Sequence, residues 1–320
     1  MALLLSEADV RKLLTMPLAL AAVEEGFKRL ADGTAVLHMR QHLNLPEKTY
    51  LHYMAAADRI GGYMGMKIYT VVGGALRFLV PLYSIRTGEM VALVEANYLG
   101  QMRTGAASGV ATKYMARPDA SKVGVIGTGG QARTQLEAVT QVREIKRVRA
   151  FSRDPERRSA FAREMMHELG VPVEAVDSAE AAVREMDIVI TATNSSRPVL
   201  TGTWLTPGTH INAIGANLPQ KRELDDEAVS RAGLIVADSR EQSMLEAGDL
   251  IRAFGDDPGK WSLVRELAEV VAGGTAGRTS PRQITLFKSN GIAIEDVMAA
   301  ARVYEAAREK NVGRELPLWQ

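Results

Sequence analysis

Cysteine is absent from the sequence, and aromatic residues, net charge and long apolar runs are scarce. The lack of cysteine excludes disulfides, thiolate metal sites and a cysteine nucleophile, and it fits a reducing cytosol. Aromatic residues make up 5% and the formal net charge is +1, so the composition favours neither nucleic acid nor a membrane surface as a partner. No run approaches the roughly 20 apolar residues of a membrane span, and MALLLSEADV lacks the basic region of a signal peptide. We therefore expect a soluble cytoplasmic protein.

Short motifs of several enzyme classes are also missing. The chain has no G-x-S-x-G, no H-E-x-x-H and no P-loop. Its five histidines show no metal spacing. His38 and His42 are four residues apart, but their segment is predicted as a loop that leads into a strand. We therefore predict that the protein holds no metal ion.

The pattern of apolar residues changes along the 320-residue chain, of which 46% is hydrophobic. Between about residues 48 and 95, short apolar runs broken by Gly, Pro and the turn RTGE predict strands and hairpins. After ARPDASK (116–122) strands alternate with helices, from VGVIG through DIVITAT and THINAIG to LIVAD. This alternation is typical of an α/β fold with a Rossmann-type, doubly wound parallel sheet.

The domain organisation follows from that change of pattern. We predict a Rossmann dinucleotide-binding domain at residues 116–299. A discontinuous α+β domain is predicted from residues 1–115 and 300–320, because the last helix, at about 291–310, is expected to return to the first part of the chain.

A glycine-rich turn separates the strand VGVIG from the helix that follows it. Its residues are Gly127, Thr128, Gly129, Gly130, Gln131 and Ala132, which fit G-x-G-x-x-G/A in the strand–turn–helix context that the motif requires. Gly127 permits the tight turn, Gly129 lets backbone approach a pyrophosphate, and the helix N-terminus supplies free N–H groups. The pattern predicts a dinucleotide site, and the alternative is a tight βα turn without a ligand.

The end of the next strand indicates which dinucleotide binds. An NAD site usually places an acid there for the ribose 2′-hydroxyl, but RVRAF is followed by Ser152 and Arg153, and Asp154 comes one residue late. A hydroxyl and a guanidinium suit a 2′-phosphate, with Arg157 or Arg158 adding to it. We predict NADP, with NAD as the alternative; Arg153 as a solvated loop residue is the other interpretation.

Three basic residues outside this region occur where charge is not expected. Lys67 lies in the apolar strand GYMGMKIYT, Arg103 lies among small residues in QMRTGAASG, and Arg40 precedes a strand. Such a charge must be paired or must face a cleft. Two guanidiniums and an ammonium together would hold a small carboxylate, and for each residue alone a salt bridge or an exposed position is an equal alternative.

Five segments in order give the chain a resemblance to the ornithine cyclodeaminase/mu-crystallin family: GMKIYT, QMRTGAASGVATKYMAR, VGVIGTGGQA, THINAIGANLPQKRELD and FKSNGIAIEDV. The resemblance covers nearly the whole chain. It implies a homodimer with a discontinuous substrate and dimerisation domain and a Rossmann domain. It also implies an amino or imino acid as the substrate.

The resemblance assigns roles to individual positions. Arg40, Lys67 and Arg103 match the family's substrate-carboxylate contacts. Further positions match its cofactor contacts: Gly127, Gly129 and Gln131 in the pyrophosphate turn, Thr193, Asn194 and Ser195 in the loop on the nicotinamide side, and Gly291 near cofactor and substrate.

One departure distinguishes the subfamilies. Cyclodeaminases and alanine dehydrogenases of this type carry an Asp two residues after IG, in an IGADxPGK-like stretch, whereas this chain reads IGANLPQKRELD with Asn217 there. An amide has no useful basicity near pH 7, so Asn217 on the substrate side cannot serve as a base. Ketimine and Δ1-pyrroline-2-carboxylate reductases resemble this chain better. Asp225 and Asp226 are predicted to begin and cap a helix.

The resemblance therefore implies an NAD(P)H-dependent reductase of small cyclic imino acids, of the Δ1-pyrroline-2-carboxylate or Δ1-piperideine-2-carboxylate type. Arg103 and Arg40 would anchor the carboxylate, and Lys67 would hold it and donate a proton, directly or through water, to the imine nitrogen. Ornithine cyclodeaminase and alanine dehydrogenase are the alternatives within the family. A crystallin-like protein that binds NADP or another ligand without turnover is a further alternative.

Overall fold

The computed structural model describes residues 2–46 and 48–318. The chain divides into two compact units, the first made of the residues up to Ala106 and from Gly291 onward, and the second of Ala107–Asn290. The boundaries predicted from sequence, after residue 115 and before residue 300, lie further along the chain. The first division falls inside a continuous helix, and the second comes before the last long helix instead of within it.

The strands and the helices are each numbered in chain order. The strands are β1 (Ala2–Leu5), β2 (Ala35–Leu45), β3 (Thr49–Asp58), β4 (Tyr63–Val72), β5 (Ala75–Ser84), β6 (Met90–Glu95), β7 (Lys122–Ile126), β8 (Arg147–Phe151), β9 (Val173–Ala175), β10 (Ile188–Thr191), β11 (His210–Ala213), β12 (Leu234–Ala237), β13 (Val264–Glu266), β14 (Thr285–Lys288) and β15 (Arg314–Leu316). The helices are α1 (Glu7–Leu13), α2 (Met16–Ala31), α3 (Asn97–Met115), α4 (Gly130–Val142), α5 (Pro155–Leu169), α6 (Ala179–Val183), α7 (Asp226–Ser230), α8 (Arg240–Glu246), α9 (Gly248–Phe254), α10 (Pro258–Ser262), α11 (Leu267–Val271) and α12 (Ala293–Lys310).

The first unit is built on a mixed sheet with the order β15-β1-β6-β5-β4-β3-β2. Strands β2 to β6 form an antiparallel meander, and β1 adds to β6 in parallel. Helix α12 packs against α2 and against the sheet, where Val297 faces Gly65 of β4. The predicted strands and hairpins between residues 48 and 95 are confirmed, with a turn at 85–87.

Strand β2 corrects one prediction. The segment around His38 and His42 is not a loop, because β2 pairs with β3 along its length from Ala35 to Leu45. The register shifts between His38 and Gln41, so that two residues of β2 lie opposite Met54 alone. Such a bulge re-aims a side chain, and here it contains Arg40. Polar residues on both faces hid this strand from a search for alternating hydrophobicity.

The second unit contains an eight-stranded, all-parallel sheet with the order β13-β12-β14-β11-β10-β7-β8-β9. The six strands at the β9 edge of the sheet have the 3-2-1-4-5-6 order of the doubly wound Rossmann fold. In chain order they are β7, β8, β9, β10, β11 and β14, and the strand order reverses between β7 and β10. The predicted fold class is confirmed. The predicted cap is confirmed too, since Asp225 accepts a hydrogen bond from Ala228 N at the start of α7.

No helix in the described residues combines the length and the apolar character needed to cross a bilayer. Within residues 2–46 and 48–318, the structure also contains no group of three or more histidine, aspartate or glutamate side chains arranged to hold a metal ion.

Candidate active site

The structure brings two of the predicted basic residues together on a pair of carboxylates in the first unit. Lys67 Nζ of β4 lies 3.1 Å from Asp296 Oδ1, and Arg103 Nε of α3 donates to the same oxygen over 3.0 Å. Arg103 NH1 also donates to Glu295 Oε2 over 2.6 Å. All four side chains are buried. With Arg40 they form what we call the charged cluster.

Arg40 joins this cluster through the backbone of Gly291. Its NH2 donates to Gly291 O over 2.9 Å and lies 3.8 Å from Met54 Sδ. Gly291 has a φ of +79°, and a Cβ there would lie 2.5 Å from Arg103 NH1, so only glycine fits. The structure thus places Gly291 beside two arginines and assigns it to the first unit, whereas the other predicted cofactor residues belong to the second unit.

The position of the carboxylates explains how they are held. Glu295 and Asp296 lie in the first turn of α12, where the positive end of the helix dipole stabilises negative charge. Asp296 Oδ2 is buried and accepts no hydrogen bond from the described residues. Sequence reasoning missed both acids as functional residues. The available signal was an adjacent acid pair followed directly by five apolar residues, at positions 297–301.

The environment of Lys67 makes its ammonium easier to deprotonate than a lysine in water. Burial and the nearby Arg103 and Arg40 guanidiniums lower the pKa of Lys67 to about 8, against the opposing effect of Asp296. A lysine in that range can give up a proton near neutral pH. The cluster therefore holds a buried ammonium that is ready to act as an acid.

An aromatic row, which sequence reasoning left unassigned, flanks the charged cluster on the same face of the sheet. Lys67 Nζ lies 5.1 Å from the ring centre of Phe78 and 5.9 Å from that of Tyr69. The His52 ring packs at a tilt against Tyr69, with ring centres 4.6 Å apart, and its Nδ1 lies 2.6 Å from Nδ1 of His42. Burial, His42 and Arg40 lower the pKa of His52 to about 4, so this ring is neutral at physiological pH.

In the second unit, the glycine turn has the geometry of a dinucleotide site. Gly127 has a φ of +105°, and a Cβ there would overlap Ala192 O. A Cβ at Gly129, by contrast, would meet nothing within 4 Å, so the backbone there is open to a ligand. Gln131 Oε1 is buried and accepts no hydrogen bond within the described part of the chain. Helix α4 begins at Gly130 and is 13 residues long.

The end of β8 carries the residues that were predicted to select the cofactor. Thr128 Oγ1 donates to Ser152 Oγ over 3.0 Å, which joins the glycine turn to this strand end. Arg153 is exposed. Asp154 Oδ1 accepts from the backbone of Glu156 and Arg157 at the start of α5, and Arg157 Nε lies 3.3 Å from Asp154 Oδ2. Asp154 is therefore engaged as a helix cap.

The loops after β10 and β11 lie at the carboxyl edge of the same sheet. Ser195 Oγ donates to Arg197 O over 2.6 Å, and Lys221 Nζ donates to Asn194 O over 2.6 Å. Thr193 N donates to the buried carboxylate of Glu223. Asn217 follows β11 and is exposed.

The fold and these two sites define a class of protein: a two-unit α/β chain with a dinucleotide-type turn in one unit and a buried charged cluster in the other. The chain belongs to the ornithine cyclodeaminase/mu-crystallin family, whose model matches residues 1–311. The membership predicted from the sequence segments is confirmed.

Within this family, the chain is similar to two Δ1-pyrroline-2-carboxylate reductases and to an alanine dehydrogenase. A Δ1-pyrroline-2-carboxylate reductase of Bacillus cereus is 35% identical, covering 98% of this chain and 99% of that protein. The structure of the Thermococcus litoralis Δ1-pyrroline-2-carboxylate reductase in complex with NADH and L-proline is 38% identical with a TM-score of 0.93, over 98% of this chain and 100% of that one. An archaeal alanine dehydrogenase dimer with bound NAD is 36% identical with a TM-score of 0.93, over 99% of each chain.

Proposed function

We propose that the protein is an NAD(P)H-dependent reductase of small cyclic imino acids, which it converts to cyclic amino acids. The observation that carries this proposal is the charged cluster, in which Lys67 and Arg103 share one oxygen of Asp296 in a buried site. Such a cluster offers both an anchor for a carboxylate and a proton donor. The similarity to two Δ1-pyrroline-2-carboxylate reductases supports the same reaction.

Arg103 and Arg40 would anchor the substrate carboxylate. The cluster contains three cationic side chains, Arg40, Lys67 and Arg103, against the two carboxylates of Glu295 and Asp296. A bound carboxylate brings a further negative charge into this site, and guanidiniums match its two oxygens. Anchoring fixes the orientation of the imine and removes much of the entropic cost of reaction.

Lys67 would donate the proton that the imine nitrogen needs. A nicotinamide cofactor, when bound, supplies the hydride to the imine carbon. The proton from the Lys67 ammonium completes the reduction of C=N to CH–NH. The neutral Lys67 side chain then takes up a proton from water. Asp296 Oδ2 remains as an acceptor for the substrate N–H. The protein thus contributes position, charge and one proton.

The second unit would hold the cofactor. The open backbone at Gly129 and the N-terminus of α4 fit a pyrophosphate, because free backbone N–H groups there can donate to its oxygens. For NADP over NAD, the support is Ser152 with the exposed Arg153, and the engagement of Asp154 as a helix cap. The two similar structures contain NADH and NAD, so the preference for NADP depends on these residues alone.

The chain would work as a homodimer in the cytoplasm. One face of the first unit's sheet, opposite to the side that α12 covers, exposes large apolar residues: Leu43, Leu45, Tyr53, Met64, Val72 and Leu79. We call this set the outer apolar face. Apolar surface of this kind is typical of an interface, and the similar alanine dehydrogenase is a dimer. The lack of cysteine supports the location.

The experiment that tests the function is a spectrophotometric assay of the purified protein. NADPH, and separately NADH, is mixed with Δ1-pyrroline-2-carboxylate and Δ1-piperideine-2-carboxylate, and oxidation of the cofactor is followed. We expect oxidation that is faster with NADPH. No oxidation with either cofactor would contradict the proposal; ornithine, and then pyruvate with ammonia, would be tried to identify a cyclodeaminase or an alanine dehydrogenase.

A further inference from the structure

We propose that Glu223 is a positioning residue, whose buried carboxylate ties together the loops after β10 and β11 and so shapes the cofactor site. This inference rests on the proposed function, since it assigns a role toward the nicotinamide cofactor. This role requires no contact between Glu223 and the reacting atoms. It acts through the backbone of Thr193 and Gly215.

The carboxylate of Glu223 is fully buried and accepts three hydrogen bonds. Oε1 accepts from Thr193 N over 2.6 Å. Oε2 accepts from Gly215 N over 2.6 Å and from Thr191 Oγ1 over 2.9 Å. One side chain therefore fixes the end of β10, the first residue of the predicted nicotinamide-side loop, and the loop that leads to Asn217.

The two loops are also in direct contact. A Cβ at Gly215 would overlap the backbone N and O of Thr193 and lie 2.6 Å from Glu223 Oε1. This close approach leaves no room for a side chain at position 215, so Gly215 lets the two loops and the Glu223 carboxylate meet. The carboxyl ends of parallel strands, near the reversal of strand order, are where dinucleotides bind in such sheets.

A second buried layer holds Glu223 in place. Asp249 Oδ1 of α9 accepts from the backbone N–H of Glu223 and Leu224 over 2.7 and 2.8 Å. Asp249 Oδ2 lies 3.2 Å from Lys288 Nζ of β14, which also donates to Ala213 O over 3.3 Å. Lys288, Asp249 and Glu223 thus link β14, α9, β11 and β10 at one edge of the sheet.

Retaining a buried carboxylate is costly unless its hydrogen bonds are all made. Burial raises the pKa of Glu223, and Lys288 opposes that rise. A glutamine at this position would have the same shape, but its NH2 group would replace one of the two oxygens. That group would then face the backbone N–H of Thr193 or of Gly215, and two donors cannot form a hydrogen bond. The charge is therefore what allows the same group to accept from both loops.

The test is the affinity for NADPH, measured by its fluorescence on binding, in Glu223→Gln and in Thr191→Val. We expect Glu223→Gln to weaken binding about tenfold or more and Thr191→Val to weaken it less, because the first disturbs both loops and the second removes one hydrogen bond. Thr191→Ser should restore wild-type binding. Glu227→Gln, at an exposed position on the neighbouring α7, is the matched control and should bind like wild type.

Hydrogen exchange supplies a second readout that does not need the cofactor. In Glu223→Gln the amides of Thr193 and Gly215 should exchange faster than in wild type, while those of β12 keep their protection. A fall in melting temperature with unchanged NADPH affinity and unchanged exchange in both loops would overturn the proposal, since the role would then be structural only. Wild-type protein that binds neither NADPH nor NADH would instead refute the proposed function, and the exchange result would still test the tie between the loops.

Discussion

The titration of Lys67 provides the most direct test of the proposed mechanism. Its pKa is lowered from 10.5 to about 8, so the ammonium is present below that pH and lost above it. If this ammonium is the proton donor, kcat/KM for imine reduction should fall as pH rises through about 8. We call this fall the basic limb of the pH profile. Because kcat/KM reports the ionisation of the free enzyme, the basic limb of kcat/KM should follow the pKa of Lys67 in the protein without substrate.

The size of the shift comes from the structure around the amine. Burial has the largest effect, Arg103 and Arg40 add to it, and Asp296 opposes it. A shift of this size corresponds to about 3 kcal/mol against the charged form. Because the folded pKa lies below the unfolded one, this cost is present at lower pH and is relieved between about pH 8 and 10.5. A bound carboxylate would raise the pKa of Lys67 again, so the limb in kcat should lie at higher pH than in kcat/KM.

Lys67→Arg separates the enzyme's titration from that of the substrate. Arginine keeps the positive charge but does not lose its proton in this range, so the basic limb should vanish while kcat/KM falls by about 10²- to 10⁴-fold. Lys28→Arg, on the half-exposed face of α2, is the control and should leave the profile unchanged. A basic limb that persists in Lys67→Arg would assign it to the substrate iminium and refute the role of Lys67 as the donor.

Four further changes test other parts of the proposal. Asp296→Asn removes the carboxylate that opposes the pKa shift, so the basic limb of the pH–rate profile should move to lower pH; a limb at the same pH would contradict the assigned cause. Arg153→Ala should raise KM for NADPH by about tenfold to a hundredfold, the worth of a charged hydrogen bond, and leave KM for NADH unchanged; equal effects would remove the argument for NADP. Leu43→Glu on the outer apolar face should shift the mass measured by light scattering from dimer to monomer, whereas Leu263→Glu, at a leucine that is 65% exposed in the second unit, should not. Asn217→Asp introduces a base, so ammonia release from ornithine or amination of pyruvate should become measurable; no gain of either would mean that the amide is not what separates the subfamilies.

The second unit was the easier half to predict from the sequence. Most of its strands are short apolar runs that alternate with helices, and the glycine spacing from Gly127 to Gly130 indicates a tight turn between a strand and a helix. Two features there escaped prediction. The helices from α8 to α11 are short, and the role of Glu223 depends on contacts with residues up to 32 positions away. Such contacts leave no periodic signal.

The first unit shows why a charged residue could be located but not its partners. Lys67 and Arg103 were conspicuous because charge inside apolar or small-residue segments needs an explanation. Glu295 and Asp296 were not, since acids in the first turn of a helix are common for local reasons. Arg40 adds a second difficulty, because its position depends on a bulge in a strand whose own pattern is irregular. The partners of Lys67 and Arg103, and the position of Arg40, all depend on contacts between segments that are distant in the sequence.

Overall similarity does not separate a reductase from an alanine dehydrogenase here, since structures of both kinds match with a TM-score of 0.93. Both reactions transfer a hydride to a carbon that bears a nitrogen and lies next to a carboxylate, so both need a charged cluster of this kind. They differ in whether the imine arrives already formed or must be made from an oxo acid and ammonia. Making it requires a base that takes a proton from the attacking amine and then returns a proton to the hydroxyl, which leaves as water. Asn217 supplies no such base, whereas reducing a preformed ring imine requires only an anchor and one proton, which Arg103 and Lys67 can provide.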